Sequence, residues 1–278
     1  MSIGISVQEL IDRYADCLWK RGAHRTSALI YLAEIADIKK GHFSNVVSDD
    51  FDLIVSSLKG QGNKHSTINR KIYAFTKLLR KAQEDDLIPN VPVYKRLNED
   101  VRPVRYFSPD EERIFFKALR AHDPLYADLS IFLVDTGMSL GEAINLRWES
   151  VSETHLIVVE SSIGLSRRLP ITSRCIDVLS NYRFKDRGPF GDIDQANFRI
   201  SWNRAKRDTD FSHDPAIVPT ILRHTCACRL VLSGFNLKLV QSWLGNKDYK
   251  SMMRYEGLLE FVSFEACTQA LEKYASAT

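Results

Sequence analysis

Residues Thr220–Tyr255 read TILRHTCACRLVLSGFNLKLVQSWLGNKDYKSMMRY. An Arg-His pair, Arg223-His224, enters a run with apolar residues at helical spacing, which predicts a helix over about 223–233. Gly234 marks a turn, and a second helix follows at about 236–244. The stretch closes on Leu244-Gly245-Asn246 and then Met-Arg-Tyr255. An arginine, a histidine and a tyrosine in this order have the look of an active centre.

Upstream, residues 7–21 predict a helix with Leu10, Ile11, Tyr14 and Leu18 on one face. A second fits 26–39, turning Leu29, Ile30, Leu32, Ala33 and Ala36 inward. Ser48 with Asp49 and Asp50 reads as an N-cap and acidic first turn. After the polar turn at Gly60–Thr67, Ser66 or Thr67 caps a long helix running to about Asp86, with Ile68, Ile72, Phe75, Leu78 and Leu79 inward. Its other side carries Lys64, Arg70, Lys71, Lys77, Arg80 and Lys81. That pattern suits a solvated helix surface and equally a cationic face laid along phosphates. Leu87-Ile-Pro ends the helix, since the residue before proline is biased away from the helical region. Residues 90–106, with Lys95, Arg96, Arg102 and Arg105, show no periodicity.

Phe107-Ser108-Pro109 followed by three acids restarts the chain with a capped helix over 109–121. Further helices are expected at 127–135, 140–146, 172–183, 194–208 and 262–275. His155–Glu160 and Arg167–Ile171 predict a strand pair, with Ser161–Ser166 at the tip. The expected fold class is mainly α with a small antiparallel sheet. At 278 residues two domains fit, and the expected division is 1–95, a linker at 96–106, and 107–278.

Composition bounds the function loosely. Hydrophobic residues make up 44% and charged ones 26%, with a net charge of +3, ordinary for a globular protein and uninformative about partners. Five cysteines (Cys17, Cys175, Cys226, Cys228, Cys267) have neither disulfide-framework nor zinc-ribbon spacing, so buried free thiols are expected. The N-terminus has no apolar signal core and no run of 18 apolar residues occurs. A cytoplasmic protein with no membrane association is therefore expected, nucleoid-associated if it binds DNA.

Four stretches in order, STINRKIYAFTKLLRKAQEDDLI, DTGMSLGEAINLRWESV, SSIGLSRRLPIT and the 220–255 segment, resemble the tyrosine recombinase (phage integrase) family over nearly the whole chain. The resemblance implies a helical core-binding (SAM-like) N-terminal domain and a catalytic-type C-terminal domain that together clamp double-stranded DNA. It implies a C-terminal helix (Phe261, Phe264, Cys267, Leu271, Tyr274) able to dock on a neighbour, hence DNA-dependent homo-oligomers. It also implies a reaction without metal or other cofactor. In it, two arginines stabilise the charge on phosphorus, a hairpin lysine protonates the leaving oxygen, histidines assist, and a tyrosine attacks.

Position by position the chain departs from that pattern. Tyr255 matches the nucleophile and Arg223 the second arginine. Ser139 stands where the first arginine belongs, Ser162 where the lysine belongs, and Thr220 and Asn246 at the histidine positions. Loss of one preorganised donor costs about 10²–10³ in rate, and these losses together on the order of 10⁶. Arg167 or Arg168, His213 and Lys247 are candidate substitutes. Glu142, Leu146 and Trp148 read as structural.

Three functions follow. The first is a DNA-binding protein with an impaired site, regulator or accessory factor of a mobile element. The second is an active integrase or recombinase with a rewired site using Tyr255. The third is a fold kept for protein contacts. Duplex contacts are expected from Lys64, Arg70, Lys71, Lys77 and Arg80, from Lys95 and Arg96, and from Arg199, Arg204, Lys206 and Arg207.

Overall fold

The computed structural model describes residues 4–99, 104–159 and 166–261. By its internal contacts the chain divides into two compact units, Met1–Val101 and Arg102–Thr278.

The first unit holds α1 (Val7–Leu18), α2 (Ala23–Ile38), α3 (Ser48–Gly60) and α4 (His65–Glu84). Ser6 opens α1 with a reciprocal capping box to Glu9. Helix α4 is central: α1, α2 and α3 all pack on it, and its Ile68, Ile72, Phe75, Leu78 and Leu79 are fully buried. Four sequence expectations need correction here. On α2 the buried stripe is Ala28, Leu32 and Ile35, while Ile30 and Ala33 face solvent. An apolar-rich helix allows several phases of the stripe, and contact with α4 selects one. Helix α3 is capped one residue earlier than expected, with the Asp50 carboxylate accepting from Val47 N–H at 2.9 Å. Lys64, rather than Ser66 or Thr67, is the N-cap of α4. Cys17 is exposed rather than buried.

Residues 91–99 form no regular element, yet they are fastened to α4. Buried Asn69 accepts from Leu97 N–H (3.0 Å) and Tyr94 O–H (3.1 Å) and donates to Leu97 O (2.9 Å).

The second unit contains α5 (Pro109–His122), α6 (Pro124–Thr136), α7 (Leu140–Ile144), β1 (His155–Val159), β2 (Ser166–Pro170), α8 (Ser173–Ser180), α9 (Gln195–Arg207), α10 (Ile221–Leu232) and α11 (Leu237–Leu244). A run of 3-10 turns, Tyr249–Phe261, ends the described chain; no apolar period in the sequence announced it. The described elements are thus mainly helical with one two-stranded antiparallel sheet. Phe107, Phe115 and Trp202 form an aromatic centre, with the Phe115 and Trp202 rings 4.5 Å apart between centroids. Buried Glu112 receives Arg174 (2.7 Å) and Arg229 (2.6 Å), tying α5 to α8 and α10. Cys175, Cys226 and Cys228 are buried free thiols. Among the described residues no helix is long and apolar enough to cross a membrane. The predicted helix at 262–275, including Phe264, Cys267, Leu271 and Tyr274, lies outside the described residues.

Candidate functional site

Three elements meet at the carboxylate of Glu142. It sits in the first turn of α7, where Ser139 is the N-cap: Ser139 N–H donates to Glu142 Oε2 (2.7 Å), and Glu142 N–H donates to Ser139 Oγ (3.3 Å). Ser139 therefore has a local structural task.

Arg167 reaches the same carboxylate from β2. Strand alternation puts Arg167 and buried Leu169 on one face and Arg168 on the other. Arg167 Nη1 donates to Glu142 Oε1 (2.6 Å) and Nε to Trp243 O (3.0 Å). Its Nη2 is buried without a hydrogen-bond partner. The guanidinium lies against Gly245, where a Cβ would meet Nη1 at 2.6 Å. Gly245 also terminates α11 at φ 73°, so glycine is needed there on both counts. Arg168 points outward, 3.1 Å from His155 Nδ1.

Arg223, in the first turn of α10, is the third member. Its Nη1 donates to Gly137 O (2.7 Å) and its Nη2 to Leu244 O and Asn246 Oδ1 (2.8 Å each), with Glu142 Oε2 3.6 Å from Nη1. Asn246 is held in turn by Gln241, whose amide donates to Asn246 O (2.9 Å). Burial lowers the Arg223 pKa from its usual range, with the neighbouring Arg167 charge acting in the same direction and Glu142 opposing. Burial would raise the Glu142 carboxyl, but Arg167 and Ser139 N–H hold it below the ordinary value.

Tyr255 lies on the 3-10 segment, packed on α10 and α11 and only 3% exposed. Its hydroxyl is 2.7 Å from His224 Nδ1. Burial pushes the phenol up to about 12 and the imidazole down to about 4, helped by the Arg254 and Arg223 charges. At neutral pH the pair is therefore a neutral phenol on a neutral imidazole. Three of the five Arg223 N–H donors are thus engaged by the protein itself, and the Tyr255 hydroxyl is engaged by His224.

The remaining sequence candidates are dispersed. Thr220 is exposed at the start of α10 and makes no capping bond with its side chain. His213 is exposed. Ser162 and Arg102 lie outside the described residues. Among the described residues no group of His, Cys, Asp or Glu could hold a metal ion.

The cationic face expected on α4 is smaller than the sequence suggested. Lys71 is 3% exposed, its amine bound to Glu34 and Asn63, so it cannot serve as a surface phosphate contact. Lys77 donates to Leu18 O (2.6 Å) and lies over the Trp19 ring. Both amines are tethered to the neighbouring helices that pack on α4. Arg70 and Arg80 remain exposed, with Tyr73 between them 67% exposed, an aromatic that charge counting passed over. Lys64 and Lys95 are exposed, and Arg96 pairs with Glu99 at 2.9 Å. In the second unit Arg105 is engaged by Glu111 and Asp214, and Lys206 by Asp214 O. Helix α9 presents Arg199, Ile200, Asn203, Arg204 and Arg207 to solvent.

Comparison with known proteins now has a geometry to meet. The phage integrase family model matches residues 106–260, more than half of the chain. The chain belongs to the phage integrase family. Tyrosine recombinase XerD of Lacticaseibacillus casei is 23% identical, over 86% of this chain and 90% of that protein. Tyrosine recombinase XerC of Pediococcus pentosaceus is also 23% identical, over 81% of each. Among solved structures, the integrase of transposon Tn1549 in complex with transposon right end DNA superposes with a TM-score of 0.76 at 16% identity. That match covers 98% of this chain and 100% of that one. A lambda integrase dimer bound to a COC′ core site gives 0.73 at 14% identity, covering 94% and 79%. The similarity to these structures is one of fold, and extends over both units of this phage integrase family member.

Proposed function

We propose that this integrase-family chain binds duplex DNA and is impaired in strand cleavage, acting as a regulator or accessory factor of a mobile element. The observation that carries the second clause is the state of the two retained residues. Arg223 is bound to two carbonyls and Asn246, and Tyr255 is buried against His224. A phosphate arriving here meets Ser139 and Asn246 where positive or protonating groups are required, and electrostatic stabilisation of the transition state is weak. Binding needs none of these residues. The solvated Arg70, Arg80, Lys64 and Lys95 of the first unit and the Arg199–Arg207 face of α9 supply sites for phosphates, and Asn203 and the arginines are side chains able to read base edges. Relatives in complex with DNA support the binding reading, and their assemblies make a DNA-dependent oligomer part of it. The first domain of the reading runs to about residue 95 and the second from 107, joined by 96–106.

The second reading, an active enzyme with a rewired site, is favoured by one observation: Arg167 brings another guanidinium onto Glu142 beside Arg223. A nicked suicide duplex drawn from a genomic pool of bound DNA separates the two. The proposed function expects salt-sensitive binding without a covalent adduct. An adduct that disappears in Tyr255→Phe would establish cleavage and overturn the impaired reading.

A further inference from the structure

The segment between α8 and α9 carries an aromatic ring that the fold does not use. Phe184 is 78% exposed, although the backbone on both sides of it is fixed. Tyr182 donates its hydroxyl to Asp128 (2.8 Å). Lys185 N–H donates to Tyr182 O (3.0 Å), and Lys185 O accepts from the Trp148 indole (2.6 Å). The Lys185 amine pairs with Asp192 (3.0 Å) and lies over the Tyr182 ring. Gly188 closes the segment against α7's exit: a Cβ there would stand 2.0 Å from Leu146 O. The phenyl ring is thus projected from an anchored backbone, so binding need not order the segment that carries it.

Its neighbours define what it meets. Arg183 and Arg187 stand on either side of it in sequence, both exposed and with no ion pair among the described residues, with exposed Asp186 between Phe184 and Arg187. A protruding apolar ring between two unpaired guanidiniums suits a polyanion that offers apolar faces within its charged outline. Duplex DNA does this in the minor groove, where arginines approach the phosphates and an apolar side chain presses on sugars or a base step.

We propose that Arg183, Phe184 and Arg187 form a DNA contact of their own, with Phe184 as an apolar wedge and the arginines as its phosphate anchors. This rests on the duplex-binding reading above and adds to it a contact that a count of basic residues overlooks.

The test uses the full chain and a fluorescein-labelled mixed-sequence duplex, titrated by anisotropy across a salt series. Phe184→Ala is expected to weaken binding about tenfold with the salt slope unchanged, because no charge is lost. Phe184→Trp is expected to restore it. Arg183→Gln with Arg187→Gln is expected to weaken binding and flatten the slope by about 1.8, or about 0.9 per phosphate contact. All three sites are solvent-exposed, so thermal unfolding should not move, which separates lost contact from lost fold. Wild-type binding with unchanged affinity in these variants overturns the proposal alone. A wild-type chain that binds no duplex sinks the duplex-binding reading and this inference with it.

Discussion

Replacing Glu142 by alanine removes the one carboxylate on which α7, β2 and α10 meet. Arg167 loses its 2.6 Å partner and Arg223 its nearest anion, while Ser139 N–H loses its acceptor. The two guanidiniums keep side-chain exposures of only 13% and 20%, so water replaces the carboxylate poorly. Stranding a buried partner costs about 3–5 kcal/mol, and the broken capping box adds about 1 kcal/mol. A loss of about 4 kcal/mol is a large part of the 5–15 kcal/mol typical of a domain. At a slope near 2 kcal/mol per molar it moves the urea midpoint of the second unit by about 2 M. Tryptophan fluorescence reads this unit well, since Trp148, Trp202 and Trp243 belong to it and Trp19 alone to the other. The cycle with Arg167→Met isolates the pair: once Glu142 is absent, removing Arg167 should be nearly neutral, so the coupling equals the loss from Arg167→Met alone, about 3 kcal/mol. A Glu142→Ala loss below about 1 kcal/mol, with additive behaviour in the cycle, would show the pair to be solvated and refute the reasoning.

Three further outcomes follow from the same geometry. Gly188→Ala places a methyl 2.0 Å from Leu146 O, and calorimetry should show a loss above about 3 kcal/mol; a stable variant would mean the backbone there can retreat. His224 is held neutral, its pKa lowered from 6.5 to about 4. The unfolded chain takes up a proton first, so stability present above pH 6.5 falls as pH drops towards 4. The loss is roughly 2 kcal/mol after discount for partial exposure, and it should be absent from His224→Gln in acid titrations. Finally, Lys71→Ala should destabilise the first unit by about 2 kcal/mol without changing the salt slope of DNA binding. Arg70→Gln should flatten that slope by about 0.9 at unchanged stability; the reverse pattern would show that Lys71 is available to phosphates after all.

Much of the architecture was legible in the sequence because it depends on local signals. The capped helix start at Ser108, the strand pair at 155–159 and 166–170, and the glycine stops at Gly137 and Gly245 are written in adjacent residues. The stretches that carry the family resemblance were legible for the same reason. What each side chain does was not. Lys71 and Arg70 are adjacent cations on one helix, and only the packing of α2 on α4, which brings Glu34 to the Lys71 amine, made one of them structural. Arg167 and Arg168 are indistinguishable as letters. The pairing of β2 with β1 turned Arg167 towards Glu142 and Arg168 towards His155. Tyr255 reads as a nucleophile in sequence, whereas its burial against His224 arises from a 3-10 segment with no periodic signal. The sequence alone determined the family and the order of elements, because these follow from short-range pattern. Tertiary structure decided which cations are free and which are committed, because that depends on partners tens of residues away and on the water their packing excludes.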